Sequence, residues 1–295
     1  MKSAIGVLTL LFCASLQLIA QESQQPPPAR PVALLAGTGN HHHPISTESP
    51  EAQKFFDQGL VLNFGFNHDE AVRFFRRAIE LDPEAAMPYW GVAWALGPRY
   101  ALTAVTPGSD ILLDVDLQRE RAAYEAVQRA LAMSAQAPQN ERRYIEALAK
   151  RYSRDPNPNR KQLLSDYKDA MNLLVTQYPD DLDAQVLYAE SLMLRRPWQL
   201  WKSDGSPQEG TEEVVRVLEG VLSRDPEHPG ANHYYVHAVE GSQQLERALP
   251  SAQRLMTLVP AAGHLLHMPA HIFFQTGEYE DLAVTNEHAV RADED

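Results

Sequence analysis

Asn232-His233-Tyr234-Tyr235-Val236-His237-Ala238-Val239-Glu240 and His264-Leu265-Leu266-His267-Met268-Pro269-Ala270-His271-Ile272-Phe273 decide how this chain is read. Each stretch holds histidines spaced i,i+4, and 34 positions separate His233 from His267 and His237 from His271. Pro226 and Pro260 recur at the same interval. Self-similarity at this period marks a repeated supersecondary unit that buries its apolar face only by stacking on its neighbours.

Working outward, helical periodicity begins at Ser49 with Phe55-x2-Gln58-Gly59-x2-Leu62, followed by Ala71-x3-Phe75, Ala78 and Leu81-Asp82-Pro83. This resembles the tetratricopeptide repeat family, whose unit reads aromatic-x2-Leu-Gly-x2-Tyr, then Ala-x3-Phe, then Pro. Gly59, Ala71 and Ala78 are small enough for close helix approach, Phe74 and Phe75 fill space, and Asn67 and Asp69 are N-cap candidates. The resemblance covers residues 50–295 and is clearest at 52–96 and 229–293. It implies an all-α fold, a superhelical solenoid of about six antiparallel helix pairs. The expected helices after the first pair are 86–96 with 114–133, 139–152 with 160–177, and 183–195 with 211–223. A fifth pair follows between Pro229 and Pro260, and a sixth begins at Gly263. Insertions at 97–113 and around Trp198, Trp201, Gly205 and Pro207 interrupt the register.

The N-terminus reads as a secretion signal, residues 1–20: Met1-Lys2, then a mostly apolar run from Ala4 to Ala20. A cut before Cys13 would leave too short an apolar region. Export to the periplasm or the extracellular space is therefore expected, with no membrane span in the mature chain. Cleavage after Ala20 removes Lys2 and the single cysteine and takes the net charge from −13 to −14. A thiol-free exported chain must rely on packing, and its acidity argues against nucleic acid or anionic membrane as partner. Residues 21–50 are expected to be a disordered, proline-punctuated linker carrying solvated His41-His42-His43, and the repeat domain spans 51–295. His228 and His288 read as surface residues, and His68 as a helix start.

The resemblance implies that the first helix of each unit lines a concave groove. It places Phe56, Leu60, Trp90 and Trp94 there as an aromatic wall for a protein or peptide, the alternative being that the insertion 97–113 folds over Trp90 and Trp94 and buries them. It also turns His233, His237, His267 and His271 toward the groove, with His264 and Glu240 at the edge, while Tyr235, Val236, Val239, Ala270 and Phe273 take the core positions. Side chains at i,i+4 have Cβ atoms about 5–6 Å apart, and adjacent helices lie about 8–10 Å apart, so four imidazoles can meet at one cation. Imidazole and carboxylate without thiolate suit a Zn, Cu or Ni ion. The plainer alternative is a set of hydrogen-bonded groove or core histidines without an ion. Pro269 decides between a kinked helix and one that starts near Met268.

Two functions follow. The first is an exported, non-catalytic scaffold that binds a protein or peptide in its groove, with self-association through the uncapped last repeat. The second is a transition-metal-binding protein, in which Glu240 is the only nearby general-base candidate should the site be catalytic. Asp155-x-Asn157-x-Asn159 lacks the glycine and glutamate of a calcium loop. His-Glu-x2-His, phosphate-loop and Cys-x2-Cys motifs are absent.

Overall fold

Ser49 accepts a hydrogen bond from the Ala52 amide and Pro50 presets the first turn, so the first helix, α1, runs Pro50–Phe64. The computed structural model describes residues 31–98, 100, 103–104, 112–113, 116–155 and 157–294. The chain divides into Met1–Ala33 and Leu34–Asp295. In the first unit, residues 31–33 carry no regular secondary structure. The expected secretion signal and the linker up to residue 30 lie outside the described residues.

The second unit is helical. After α1 come α2 (His68–Leu81), α3 (Ala86–Leu96), α4 (Leu117–Met133), α5 (Gln139–Ala149), α6 (Arg160–Gln177) and α7 (Leu182–Met193). They are followed by α8 (Thr211–Arg224), α9 (Pro229–Val239), α10 (Leu249–Leu258), α11 (Gly263–His267), α12 (Pro269–Thr276) and α13 (Tyr279–Glu294). The all-α expectation stands, with one small addition in the 97–113 insertion. There, two-residue strands β1 (Thr103–Ala104) and β2 (Leu112–Leu113) pair antiparallel, Thr103 opposite Leu113. No helix among the described residues is long and apolar enough to cross a membrane.

Consecutive helices pack in pairs: α1 on α2, α3 on α4, α5 on α6, α7 on α8, α9 on α10, and α11 and α12 on α13. First members of successive pairs also touch, as α1 does α3 and α7 does α9. The small residues set these distances. A Cβ on Gly59 or Gly91 would stand 2.7 Å or 2.5 Å from the Phe75 ring, so neither helix could approach Phe75 as it does with any larger residue.

The path then returns on itself. Helix α9 packs against α1, and a Cβ on Gly230 would lie 2.5 Å from Cδ1 of Phe64. This contact carries the fifth pair's histidines to the end of the first pair's opening helix.

The second half of the expected linker departs from the expectation. Residues 35–49 are non-helical but strapped to the helices, not free in solvent. Gln58 bonds both the amide and the carbonyl of Leu35, Gln53 Nε2 donates to the His43 carbonyl, and Ser46 Oγ donates to Glu141. Backbone groups that would otherwise need water are satisfied by side chains of α1 and α5.

Candidate metal centre

Helix α9 and the α11–α12 segment bring His233, His237, His264, His267 and His271 into one cluster. Adjacent rings lie close: 4.9 Å from His233 to His237 and to His264, 5.6 Å from His237 to His271, and 5.0 Å from His267 to His271. Pro269 splits the last stretch into two short helices, yet Met268 keeps helical angles (φ −53°, ψ −38°). Pro269 therefore occupies the first turn of α12, and His267 and His271 still stand one turn apart.

The imidazoles are oriented by their Nδ1 atoms. His237 and His271 donate from Nδ1 to the two oxygens of Glu240, at 3.0 Å and 2.6 Å. His267 Nδ1 donates to Asn286 Oδ1 at 2.6 Å, and His233 Nδ1 to the carbonyl of Phe64. The Asn286 amide is itself oriented, since its Nδ2 donates to the Leu282 carbonyl. In their neutral form these four rings carry the proton on Nδ1 and present an unprotonated Nε2 inward. His264 Nε2 lies 3.1 Å from that of His233, and the Nε2 atoms of His267 and His271 are 3.2 Å apart. The Nε2 of His237 is buried and has no hydrogen-bond partner among the described residues.

Two nitrogens bound to one tetrahedral ion at about 2.0–2.1 Å stand about 3.3–3.4 Å apart, close to both spacings. One donor atom each of His233, His237 and His264 falls within 4.8 Å of the other two. Donors of His237, Glu240 and His271 do the same.

The electrostatics suit metal ligation. Burial, reinforced by the neighbouring imidazoles, holds His233 well below the ordinary histidine range and takes His264 to about 3. Burial also lowers His237, against the pull of Glu240. Burial alone would raise Glu240, but the N–H donors of His237 and His271 outweigh it and hold the carboxyl at about 2. Glu240 is therefore held as an anion, and its two oxygens orient the rings of His237 and His271.

Three aromatic rings wall this cluster. Phe66 lies 4.4 Å from His233 and stacks on His237 and His264, and Trp198 meets His237 edge-on at 5.2 Å. Tyr100 lies 5.6 Å from His237 and accepts the Trp198 amide hydrogen at its hydroxyl. Among the described residues, two non-glycines have positive φ, and they are Phe66 (59°) and Trp198 (58°). Phe66 sits past the end of α1, where the Asn67 amide bonds back to Leu62, a place usually given to glycine. The left-handed conformation costs about 1–2 kcal/mol for such a residue. Both strained residues put their rings on His237, and strained backbone of this kind is found at functional sites. A cavity of about 600 Å³ opens beside His264 and His267, between Phe66 and Asn286.

The other groove residues are placed differently from expectation. Phe56, Leu60, Trp90 and Trp94 are all buried, with Trp90 and Trp94 each 2% exposed. Trp90 stacks on Trp94 and meets Tyr144 edge-on, and the Trp94 indole donates to Glu190 on α7. They form packed core, not an open wall, because later helices close over them. The expected cover from the 97–113 insertion lies largely outside the described residues.

A second histidine cluster lies around Asp183. His41 Nε2 and His43 Nδ1 donate to its two oxygens at 3.0 Å and 2.8 Å, and His228 Nε2 lies 3.2 Å away. His41 and His43 are therefore docked instead of solvated, and His228 is 1% exposed instead of lying on the surface. His228 Nδ1 accepts the Ala231 amide hydrogen, which leaves its proton on Nε2. Here N–H groups converge on a carboxylate. The lone-pair arrangement of the first cluster is reversed, and the site works as an ion-paired latch.

Phe66, Tyr100, Trp198, Asn286 and the Asp183 latch were not found from the sequence. Only Phe66 carried a signal, as a bulky residue where a helix ends and glycine is usual. No family model and no curated protein matches this chain. Among solved structures, "MamA 41-end from Desulfovibrio magneticus RS-1" is 13% identical, with 84% of this chain and 96% of that chain covered. The TM-score is 0.29, and at that level the likeness carries no weight for fold or function.

Proposed function

We propose that this chain is an exported, transition-metal-binding protein, and that its ion is held by Nε2 of His233, His237 and His264 within a tetratricopeptide-like superhelix. The observation that carries this reading is the commitment of Nδ1. Four of five clustered imidazoles are anchored outward on protein acceptors and turn bare nitrogens toward one another. Outer partners of this kind fix tautomer and ring direction at metal sites. Neutral imidazole without thiolate suits Zn, Cu or Ni, and three ligands leave a fourth position for water or another donor.

The other reading, a scaffold that binds a protein or peptide, loses the aromatic wall expected of its groove, because Trp90 and Trp94 are buried. Self-association retains a surface in the exposed Phe274, Tyr279 and Val290 of the last pair.

Metal content of the purified, untagged chain tests the proposal. Elemental analysis should find stoichiometric transition metal in the wild type and little in a His237→Ala/His264→Ala double variant of unchanged helicity. A wild-type chain that carries no metal, and whose melting temperature does not rise with added Zn²⁺ or Cu²⁺, would show the cluster to be structural.

Acid resistance follows from the same geometry. An ordinary imidazole, with its pKa near 6.5, loses about tenfold in metal affinity per pH unit below that value. Here burial holds His233 well below it and His264 at about 3, and lowers His237 as well. Competitive titrations at pH 7.5, 6 and 5 should therefore show a far smaller loss of inner-site affinity than three ordinary imidazoles would give. A loss of more than about ten-thousandfold by pH 5 would mean that the three rings titrate normally.

A further inference from the structure

We propose that the cluster takes two ions, the second held by Nε2 of His267 and His271 where the site meets the cleft. This rests on the reading of the inner three histidines as a metal site.

Proton accounting carries the argument. The His271 Nδ1 proton is committed to Glu240 Oε2. The His267 Nδ1 proton is committed to Asn286 Oδ1, whose identity as oxygen is fixed by the amide's other bond, to Leu282. With one proton each, both rings present lone pairs on Nε2, and these two atoms lie 3.2 Å apart. In that form neither has a hydrogen to give the other, and a cation between them turns the contact from repulsive to attractive. His233 and His264 differ in this respect, because His264 can place its proton on Nε2 and donate across their 3.1 Å gap.

One shared ion does not satisfy all five rings. The set of donors within 4.8 Å that holds His233, His237 and His264 leaves out His267 and His271, and no such set among the described residues contains His267. His237 adjoins both groups through Glu240, whose two oxygens hold the Nδ1 atoms of His237 and His271. The carboxylate couples the two positions from behind and supplies negative charge to each. The inner rings of His233 and His237 are buried, whereas the His271 side chain is 29% exposed and His267 borders the 600 Å³ cavity. Two protein ligands leave an ion at the outer position with water in its remaining places. The chemical class it can take up is a small anion or a neutral oxygen or nitrogen donor that enters through the cleft.

Equilibrium dialysis of the full purified chain against Zn²⁺, with isothermal titration, tests this. The wild type should bind two equivalents, the second at least about tenfold more weakly because it has fewer protein ligands. His267→Ala/His271→Ala should bind one equivalent at unchanged inner affinity. Asn286→Leu frees the His267 proton to move between nitrogens, so it should weaken only the second equivalent, by about 10–100-fold. Thermal melts of the zinc-free variants establish that each is folded. One wild-type equivalent that the outer-pair variant keeps would overturn the second ion and leave the inner site standing. One equivalent that this variant loses would also overturn it, since a single ion would then be shared. No binding at all would remove the inner site as well.

Discussion

Asp183→Asn is expected to destabilise the folded chain by about 3–5 kcal/mol, the cost of removing one partner from a buried charged network. Asp183 is buried under α9 and the strap, and its two oxygens receive His41 and His43 with His228 beside them. An amide has one accepting oxygen and its nitrogen would face imidazole N–H groups, so at least one histidine loses its partner.

The pH dependence of the loss identifies its origin. Burial opposes charge on all three groups. For Asp183 it is outweighed by the charge of His41 and by the hydrogen bonds of the histidines, which hold the carboxyl well below 3.8. For His41 and His43 the attraction and hydrogen bond of Asp183 outweigh burial and raise both above 6.5. A depressed carboxyl contributes stability above its unfolded pKa and loses it as pH falls through the folded one. A raised imidazole contributes in full below its unfolded pKa and loses that as pH rises through the folded one. The gap between wild type and variant in urea denaturation should therefore be widest between about pH 4 and 6.5 and narrow above it. A gap below about 1 kcal/mol with no pH dependence would show that the latch adds nothing.

Gly230→Ala should cost about 1–3 kcal/mol through overpacking, and it should also loosen the candidate metal centre. The new methyl would meet the Phe64 ring at 2.5 Å. That ring cannot swing aside, because Trp94, His41, His228 and Tyr234 all border it. Relief requires α9 to back away from α1, and the carbonyl lost in that movement is the Phe64 oxygen that fixes the His233 tautomer. Stability and inner-site metal affinity should therefore fall together. Gly220→Ala serves as control, since a Cβ there meets nothing within 4 Å. If Gly230→Ala unfolded at the wild-type urea concentration, the close approach of α9 to α1 would be refuted.

Most helices were legible because their signals are local. The expected bounds 86–96 and 160–177 coincide with α3 and α6, where apolar spacing and a flanking Gly97 or Asn159 mark the ends. The bounds slipped by a few residues at the start of α4, which Asp116 caps, and at the ends of α5 and α7, which no glycine marks. The i,i+4 histidine pairs were legible for the same reason: helical pitch places them together whatever else surrounds them.

What surrounds them was not legible. Asp183 meets His41 across 142 positions and His233 meets Phe64 across 169, separations at which no local spacing in the chain predicts contact. Trp90 and Trp94 showed as groove residues under the 34-residue register, but the return of later helices turned that groove into core.

By itself, the sequence determined the helical class, the repeat length and which histidines share a helix face, because each depends on contacts within a few turns. Tertiary structure alone decided which Nδ1 finds an acceptor, and hence which Nε2 is left bare. It also decided that both Glu240 oxygens go to His237 and His271, and that the strap histidines lock onto Asp183. Those outcomes depend on the angle at which distant helices close, and that angle is set by the packing of small residues such as Gly230 against rings far away in the chain.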